Sequence, residues 1–151
     1  MLKKGVYAGT FGPLHNGHMF IIDAAMEMVA FLVIGLTVQR VADMKIEGTE
    51  QIMPSYRERA KMIDDFMVSK GFEDRYAIIP VSDGVVEGVD FNGDVMFISD
   101  EASVLGRAQH INTLRRIKKL QEVAIVIFPR IRFKDGTVIS STNIREANVI
   151  G

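Results

Sequence analysis

Apolar residues along this chain come either as short unbroken runs or as helical stripes, and the two kinds alternate. Gly5 to Gly9 reads as a short buried strand, ended by glycine and proline. Beyond it Met19, Ile22, Met26 and Val29 recur at helical spacing, with Asn16 as the expected N-cap. Phe31 to Thr37 is apolar almost throughout, as expected of a strand covered on both faces. Val38 to Met53 loses any period and predicts a long loop. Pro54-Ser55 opens a second helix with Tyr56, Ala60, Ile63 and Met67 on one face and Gly71 past its end. Tyr76 to Val81 predicts a third strand, Ser82 to Gly93 an acidic glycine-rich loop, and Val95 to Ile98 a fourth strand. Val104, Ala108, Ile111 and Leu114 mark a third long helix, and Val123 to Phe128 a fifth strand. After the polar turn Lys134-Asp135-Gly136, Ile139 to Glu146 carries the start of a last helix.

This order predicts the α/β class: a Rossmann-like, doubly wound sheet of about five parallel strands with helices on both faces. Ligands of such sheets bind beyond the carboxyl ends of the strands, near the switch point. With 151 residues and no repeat or linker, one domain spanning 1–151 is expected. The balance of 48% hydrophobic and 25% charged residues is that of a soluble globular protein. A net charge of −1 argues against a broad electrostatic grip on nucleic acid or anionic membrane, so neither is expected as a partner. Cysteine is absent, which excludes a disulfide framework, a thiolate metal site and a thiol nucleophile. The start Met1-Leu2-Lys3-Lys4 leads into a strand-length run rather than a signal peptide. The longest apolar stretch, near Met28 to Leu36, is well short of the ~18 residues of a membrane helix. A cytoplasmic location is the expectation. No feature of the sequence fixes an oligomeric state.

Two segments carry chemistry. The first is Gly9-Thr10-Phe11-Gly12-Pro13-Leu14-His15-Asn16-Gly17-His18, at a strand-to-helix junction. Gly9 and Gly12 permit close backbone approach, Thr10 offers a hydroxyl and an N–H, and Gly17 leaves room over the first helical turn. His15 and His18 place two donors beside a helix N-terminus, where orphan N–H groups and the helix dipole favour an anion. Structural histidines or a metal pair are the plainer readings. A metal needs further ligands, and neither cysteine nor a nearby carboxylate pair supplies them, so no metal held by protein side chains is expected.

The second segment, Ile139-Ser140-Ser141-Thr142-Asn143-Ile144-Arg145, puts three hydroxyls at a helix start and a guanidinium one turn on. Hydroxyls, N–H groups and Arg145 together suit a polyphosphate, although a Ser/Thr N-cap alone is very common. Softer candidates are Lys45 in the long loop, Ser99 and Glu101 after the fourth strand, and Asn112 and Arg115 on the following helix.

With Gly9-Thr10-Phe11, His15-x-Gly-His18 and Ile139-Ser-Ser-Thr-Asn-Ile-Arg145, the chain resembles the nucleotidyltransferase superfamily of the cytidylyltransferase type. Within it the chain is most similar to the archaeal and eukaryotic-like phosphopantetheine adenylyltransferases. Ile34-Gly35-Leu36-Thr37, Ser99-x-Glu101, Ile111-Asn112-x-x-Arg115 and Asp135-Gly136 add to that likeness, which spans nearly the whole chain. Class I aminoacyl-tRNA synthetases share the His-x-Gly-His idea, but 151 residues leave no room for their tRNA-binding modules. Gly12 departs from the aspartate that many relatives carry there.

The resemblance implies adenylyl transfer from ATP to 4′-phosphopantetheine, giving dephospho-coenzyme A and pyrophosphate, by direct in-line attack on the α-phosphate. It implies that His18 stabilises the α-phosphate, that His15 holds ATP phosphates, and that Thr10 and Lys45 seat the acceptor phosphate, with Lys45 among the catalytic groups. It places Gly9, Thr10, Phe11, His15, Gly17, His18, Ser99, Glu101, Arg115, Ile139, Ser140, Ser141, Thr142 and Arg145 around ATP, with Mg2+ carried by the ATP phosphates. Sister enzymes acting on nicotinamide mononucleotide, flavin mononucleotide or glycerol phosphate are the alternative, followed by a non-catalytic nucleotide-binding module. Cytidylyl enzymes tend toward Arg-Thr-x-Gly-Ile-Ser-Thr-Thr in the late motif, and nicotinamide mononucleotide enzymes toward glycine where Ser141 stands. Both comparisons lean toward phosphopantetheine.

Overall fold

A computed structural model describes residues 1–132 and 134–150. Five strands, β1 (Leu2–Gly9), β2 (Val29–Thr37), β3 (Tyr76–Val81), β4 (Val95–Ser99) and β5 (Ala124–Phe128), form one sheet in the order β3-β2-β1-β4-β5. All four pairings are parallel. Helices α1 (Asn16–Met28), α2 (Gln39–Met44), α3 (Tyr56–Ser69), α4 (Gly84–Asp90), α5 (Ala102–Ile117) and α6 (Ser141–Ile150) complete the described elements. The chain winds outward from β1 to β3, then crosses back to β4. The carboxyl ends of β1 and β4 therefore flank the switch point, where the connections diverge and leave a crevice.

Alternation along the central strands divides the core in two. Tyr7, Leu32, Ile34, Val95 and Phe97 face α1 and α3, whose Ile22, Ala25, Met26, Ile63 and Met67 are buried against them. On the other face Met96 and Ile98 meet Val89, Ala108, Ile111 and Val123. Burial on both faces is what allows central parallel strands to be almost wholly apolar. Pro80, which cannot donate to a ladder, lies in the edge strand β3 opposite Leu36.

Several boundaries differ from the sequence reading. β1 begins at Leu2 rather than Gly5, because exposed lysines can ride a strand without the apolar pattern that marks it. The stretch 38–53 contains the six-residue helix α2, in which only Ala42 is buried, too little apolar surface to leave a period. The glycine-rich stretch 82–93 contains α4, capped by Asp83, whose carboxylate accepts from the Val85 N–H at 2.9 Å. Its Gly88 is there for packing: a Cβ would come 2.5 Å from Ile111 Cδ1.

Arg115 is a clear correction. It lies in neither chemical segment and not in the crevice at the switch point; only 6% exposed, it donates to the carbonyls of Gln121 and Val89 at 2.7 Å and of Phe91 at 2.8 Å. It ties the end of α5 to the exit of α4. Asn112 is structural in the same way, pairing through its amide with both the N–H and the carbonyl of Val123 at 2.9 Å. Arg115→Met should cost on the order of 3 kcal/mol of folding stability, because several buried carbonyls lose their donor. Urea unfolding measures that cost, and nucleotide affinity of the folded variant should stay within a few-fold of the parent.

Candidate active site

The loop from Gly9 to Pro13 is braced by donors from two other elements, α3 and α6. Arg59 of α3 has no exposed surface and donates to the carbonyls of Thr10 at 2.9 Å and Thr37 at 2.8 Å. Its Nε donates to the Pro54 carbonyl at 3.0 Å, and its second terminal nitrogen to Gln39 Oε1 at 3.2 Å. Arg145 of α6, also buried, donates to the Gly12 carbonyl, while Ser141 Oγ donates to the Pro13 carbonyl at 2.7 Å. Three carbonyls of one short loop are thus satisfied from α3 and α6. Phe11 holds a left-handed φ of 48° and is buried edge-to-face against Tyr7 and His18, with centroids 5.3 and 4.7 Å away. A bulky residue keeps such a conformation only where its surroundings impose it. At Gly12 a Cβ would meet Met53 Sδ at 2.5 Å, so Met53 fills the space that a side chain there would need.

The N-cap of α1 is His15, not Asn16. His15 Nδ1 accepts from the Gly17 N–H at 3.0 Å, and His18 Nδ1 accepts from the His15 N–H at 3.2 Å. This is a capping box in which imidazoles stand in for the usual oxygens. Gly17 is explained by it: a Cβ there would lie 2.8 Å from the His15 ring, so the room it leaves is taken by His15. A nitrogen that accepts carries no proton, which puts the single proton of each neutral ring on Nε2. The two rings stack at 3.7 Å, an arrangement two imidazolium ions would resist. Burial lowers the His15 pKa to about 4. Burial, His15 and Lys45 together hold His18 well below the usual histidine range. Both rings are neutral donors at physiological pH.

A cleft of about 310 Å3 opens at the switch point, and fourteen of the anticipated residues line it. Gly9, Thr10, Phe11, His15, Gly17 and His18 form one side; Ile139, Ser140, Ser141, Thr142 and Arg145 the opposite one; Lys45, Ser99 and Glu101 close it. Several of their polar groups are partly committed. Ser140 Oγ caps α6 by accepting from the Asn143 N–H at 3.1 Å. Thr142 Oγ1 accepts from Arg145 at 3.3 Å, and Thr10 Oγ1 donates to Thr37 Oγ1 at 3.4 Å. Arg145 is therefore first a clamp between the two segments, with part of its guanidinium left toward the cleft. Burial and the neighbouring Arg107 and Arg145 lower the pKa of Lys45, Glu101 partly opposing them. Among the described residues no group of three His, Asp or Glu side chains could hold a metal ion, and no helix is long and apolar enough to cross a membrane.

Sequence reading missed Arg107 and Arg130, which also line the cleft, and the bracing role of Arg59. Arg59 and Arg107 each sit on the apolar stripe of their helix, three residues after Tyr56 and Val104. A charge at a position of the apolar stripe was the available signal. Arg107 also lines a second, apolar cavity of about 360 Å3, on the α4–α5 face of the sheet, which shares Ala8, Ile98, Val104 and Arg107 with the cleft. In its wall Glu87 Oε1 accepts from the Ser82 N–H at 2.9 Å, while Oε2 is buried without a partner.

A model of the family described as cytidylyltransferase-like matches residues 6–147. The chain belongs to the cytidylyltransferase-like family. A phosphopantetheine adenylyltransferase from Methanopyrus kandleri is 33% identical over 144 residues, covering 95% of this chain and 88% of its own length. One from Archaeoglobus fulgidus is 30% identical over 148 residues, covering 97% and 95%. Among solved structures, a protein of unknown function from Archaeoglobus fulgidus superposes with a TM-score of 0.72 at 25% identity, covering 91% of this chain and 99% of that one. A bifunctional NMN adenylyltransferase/ADP ribose pyrophosphatase from Francisella tularensis, complexed with AMP and manganese, has a TM-score of 0.64 at 15% identity. It covers all of this chain and 42% of its own, and shows the family's fold alone.

The lowered histidines make a prediction about stability. His15 binds its proton near pH 4 when folded and near ~6.5 when unfolded, so between these values the unfolded chain holds more protons. Stability from this residue is complete above about pH 6.5 and is lost as the pH falls toward 4. His15→Asn keeps a capping acceptor but not the titration. Urea unfolding at pH 7 and pH 5 should show a smaller loss for the variant than for the parent; equal losses would contradict a buried neutral His15.

Proposed function

We propose that this chain transfers the adenylyl group of ATP to 4′-phosphopantetheine, forming dephospho-coenzyme A and pyrophosphate. One observation carries the reading: a polar cleft lined by both chemical segments lies beside an apolar cavity that shares Ala8, Ile98, Val104 and Arg107 with it. A cleft of hydroxyls, neutral imidazole donors and cations suits a triphosphate. The adjoining cavity suits an acceptor whose phosphate sits at its boundary with the cleft and whose arm is long and weakly polar. The relatives from Methanopyrus and Archaeoglobus bear the name of this activity and support it.

In this mechanism an oxygen of the acceptor phosphate attacks the α-phosphorus in line, a new P–O bond forms, and the bond to the bridging oxygen breaks. Pyrophosphate leaves with the electron pair. The nucleophile is already an anion, so no general base is required, and rate comes from positioning and from charge stabilisation. His18 Nε2–H and His15 Nε2–H donate to phosphoryl oxygens, His18 at the α-phosphate, where negative charge rises in the transition state. Lys45 and Thr10 meet the acceptor phosphate. Ser140, Ser141, Thr142 and the free part of Arg145 face the β- and γ-phosphates, and Ser99 and Glu101 lie beside the nucleotide. Mg2+ carried by the ATP phosphates would neutralise part of their charge beside Ser140, Ser141, Thr142 and Arg145.

Pyrophosphate release from MgATP, followed with a panel of phosphorylated acceptors, tests the proposal. Release with 4′-phosphopantetheine is expected. Release only with nicotinamide mononucleotide, flavin mononucleotide or glycerol phosphate would overturn the acceptor. His18→Ala should cut turnover by roughly 100-fold or more while ATP affinity stays within a few-fold. A variant that turns over like the parent would remove His18 from the chemistry.

A further inference from the structure

The polar cleft and the apolar cavity share one charged residue, Arg107. The other arginines of the cleft are engaged. Arg130 donates to Asp100 at 2.8 Å, and Arg145 is tied to Gly12, Gln51 and Thr142. Arg107 makes no hydrogen bond or ion pair among the described residues. Its stem passes over Gly84, where a Cβ would lie 3.5 Å from Cδ and 3.8 Å from Nη1. After burial it is the largest influence lowering the pKa of the Lys45 ammonium. Lys45 and Arg107 thus line the same cleft, Arg107 at its boundary with the cavity, and Glu101 is the acidic group that Lys45 also feels.

A phosphate monoester carries about −1.5 to −2 charges at neutral pH, more than one lysine neutralises. An unengaged guanidinium offers it a planar fork and two parallel hydrogen bonds. The geometry points to Arg107 as the second ligand of the acceptor's phosphate, the residue that selects a phosphorylated acceptor over its unphosphorylated counterpart. The cavity accepts the arm of either form; the charge at its mouth separates them. This rests on the adenylyl-transfer reading of the same site and adds the residue that decides which end of the acceptor enters the cleft.

The test is a ratio of affinities. Calorimetry on the parent and on Arg107→Met, which keeps an apolar stem, compares 4′-phosphopantetheine with pantetheine. The parent should prefer the phosphorylated form, and the variant should narrow that preference about 10- to 100-fold, the loss of one or two charge-assisted hydrogen bonds. Pantetheine and MgATP affinities should be unchanged, which also shows that the variant is folded, and Arg107→Lys should recover part of the preference. An unchanged ratio in Arg107→Met, or a parent with no preference, overturns the inference. Should the acceptor panel select nicotinamide mononucleotide instead, the same ratio is taken with nicotinamide riboside as its unphosphorylated partner. An error in the acceptor is thereby separated from an error about Arg107.

Discussion

The hydrogen bonds by which His15 and His18 cap the start of α1 are the constraint on which the rest of the site depends. Each ring uses Nδ1 to satisfy a backbone N–H at the start of α1, so each is left with its proton on Nε2. Folding and chemistry use opposite sides of the same imidazoles. The stack at 3.7 Å and the burial of both rings keep them uncharged, so the donors persist without a proton that would have to be gained or lost. Neutral donors stabilise charge as it develops on a phosphoryl group while costing little when the ligand is absent.

That cap is held in place by a loop whose carbonyls are spoken for elsewhere. Arg59 takes Thr10, Arg145 takes Gly12 and Ser141 takes Pro13. The last two donors come from α6, more than 120 residues away, so the second chemical segment is a structural part of the first. Sheet order brings them together: β1 is central, and the cleft lies over its carboxyl end beside β4. A single fold requirement, satisfying a tight loop beside a helix start, produces both halves of the cleft.

Most of this frame is legible in the sequence. Unbroken apolar runs mark strands that are covered on both faces, and such strands form parallel sheets; that is why the α/β class and all five strands could be read. The short helices α2 and α4 could not, since six or seven residues with one buried side chain leave no period. Candidate residues were legible where glycine, histidine and hydroxyls cluster in sequence, and fourteen of the expected ones line one cleft. Arginines were harder. Arg59, Arg107 and Arg115 all occupy apolar stripes, and sequence cannot tell which of them binds carbonyls and which faces a ligand. Arg115 was assigned to nucleotide and is a structural brace; Arg107 was overlooked and is unengaged at the cleft.

The protonation of the two imidazoles tests the account most directly. Nitrogen-15 NMR of histidine-labelled protein at pH 5.5 reads the proton on each ring nitrogen. His15 and His18 should both be neutral, with the proton on Nε2 and Nδ1 acting as acceptor, and addition of MgATP should shift the Nε2 signals without charging the rings. A proton on Nδ1 of either ring, or an imidazolium at that pH, would contradict a cleft whose donors are fixed by the helix cap.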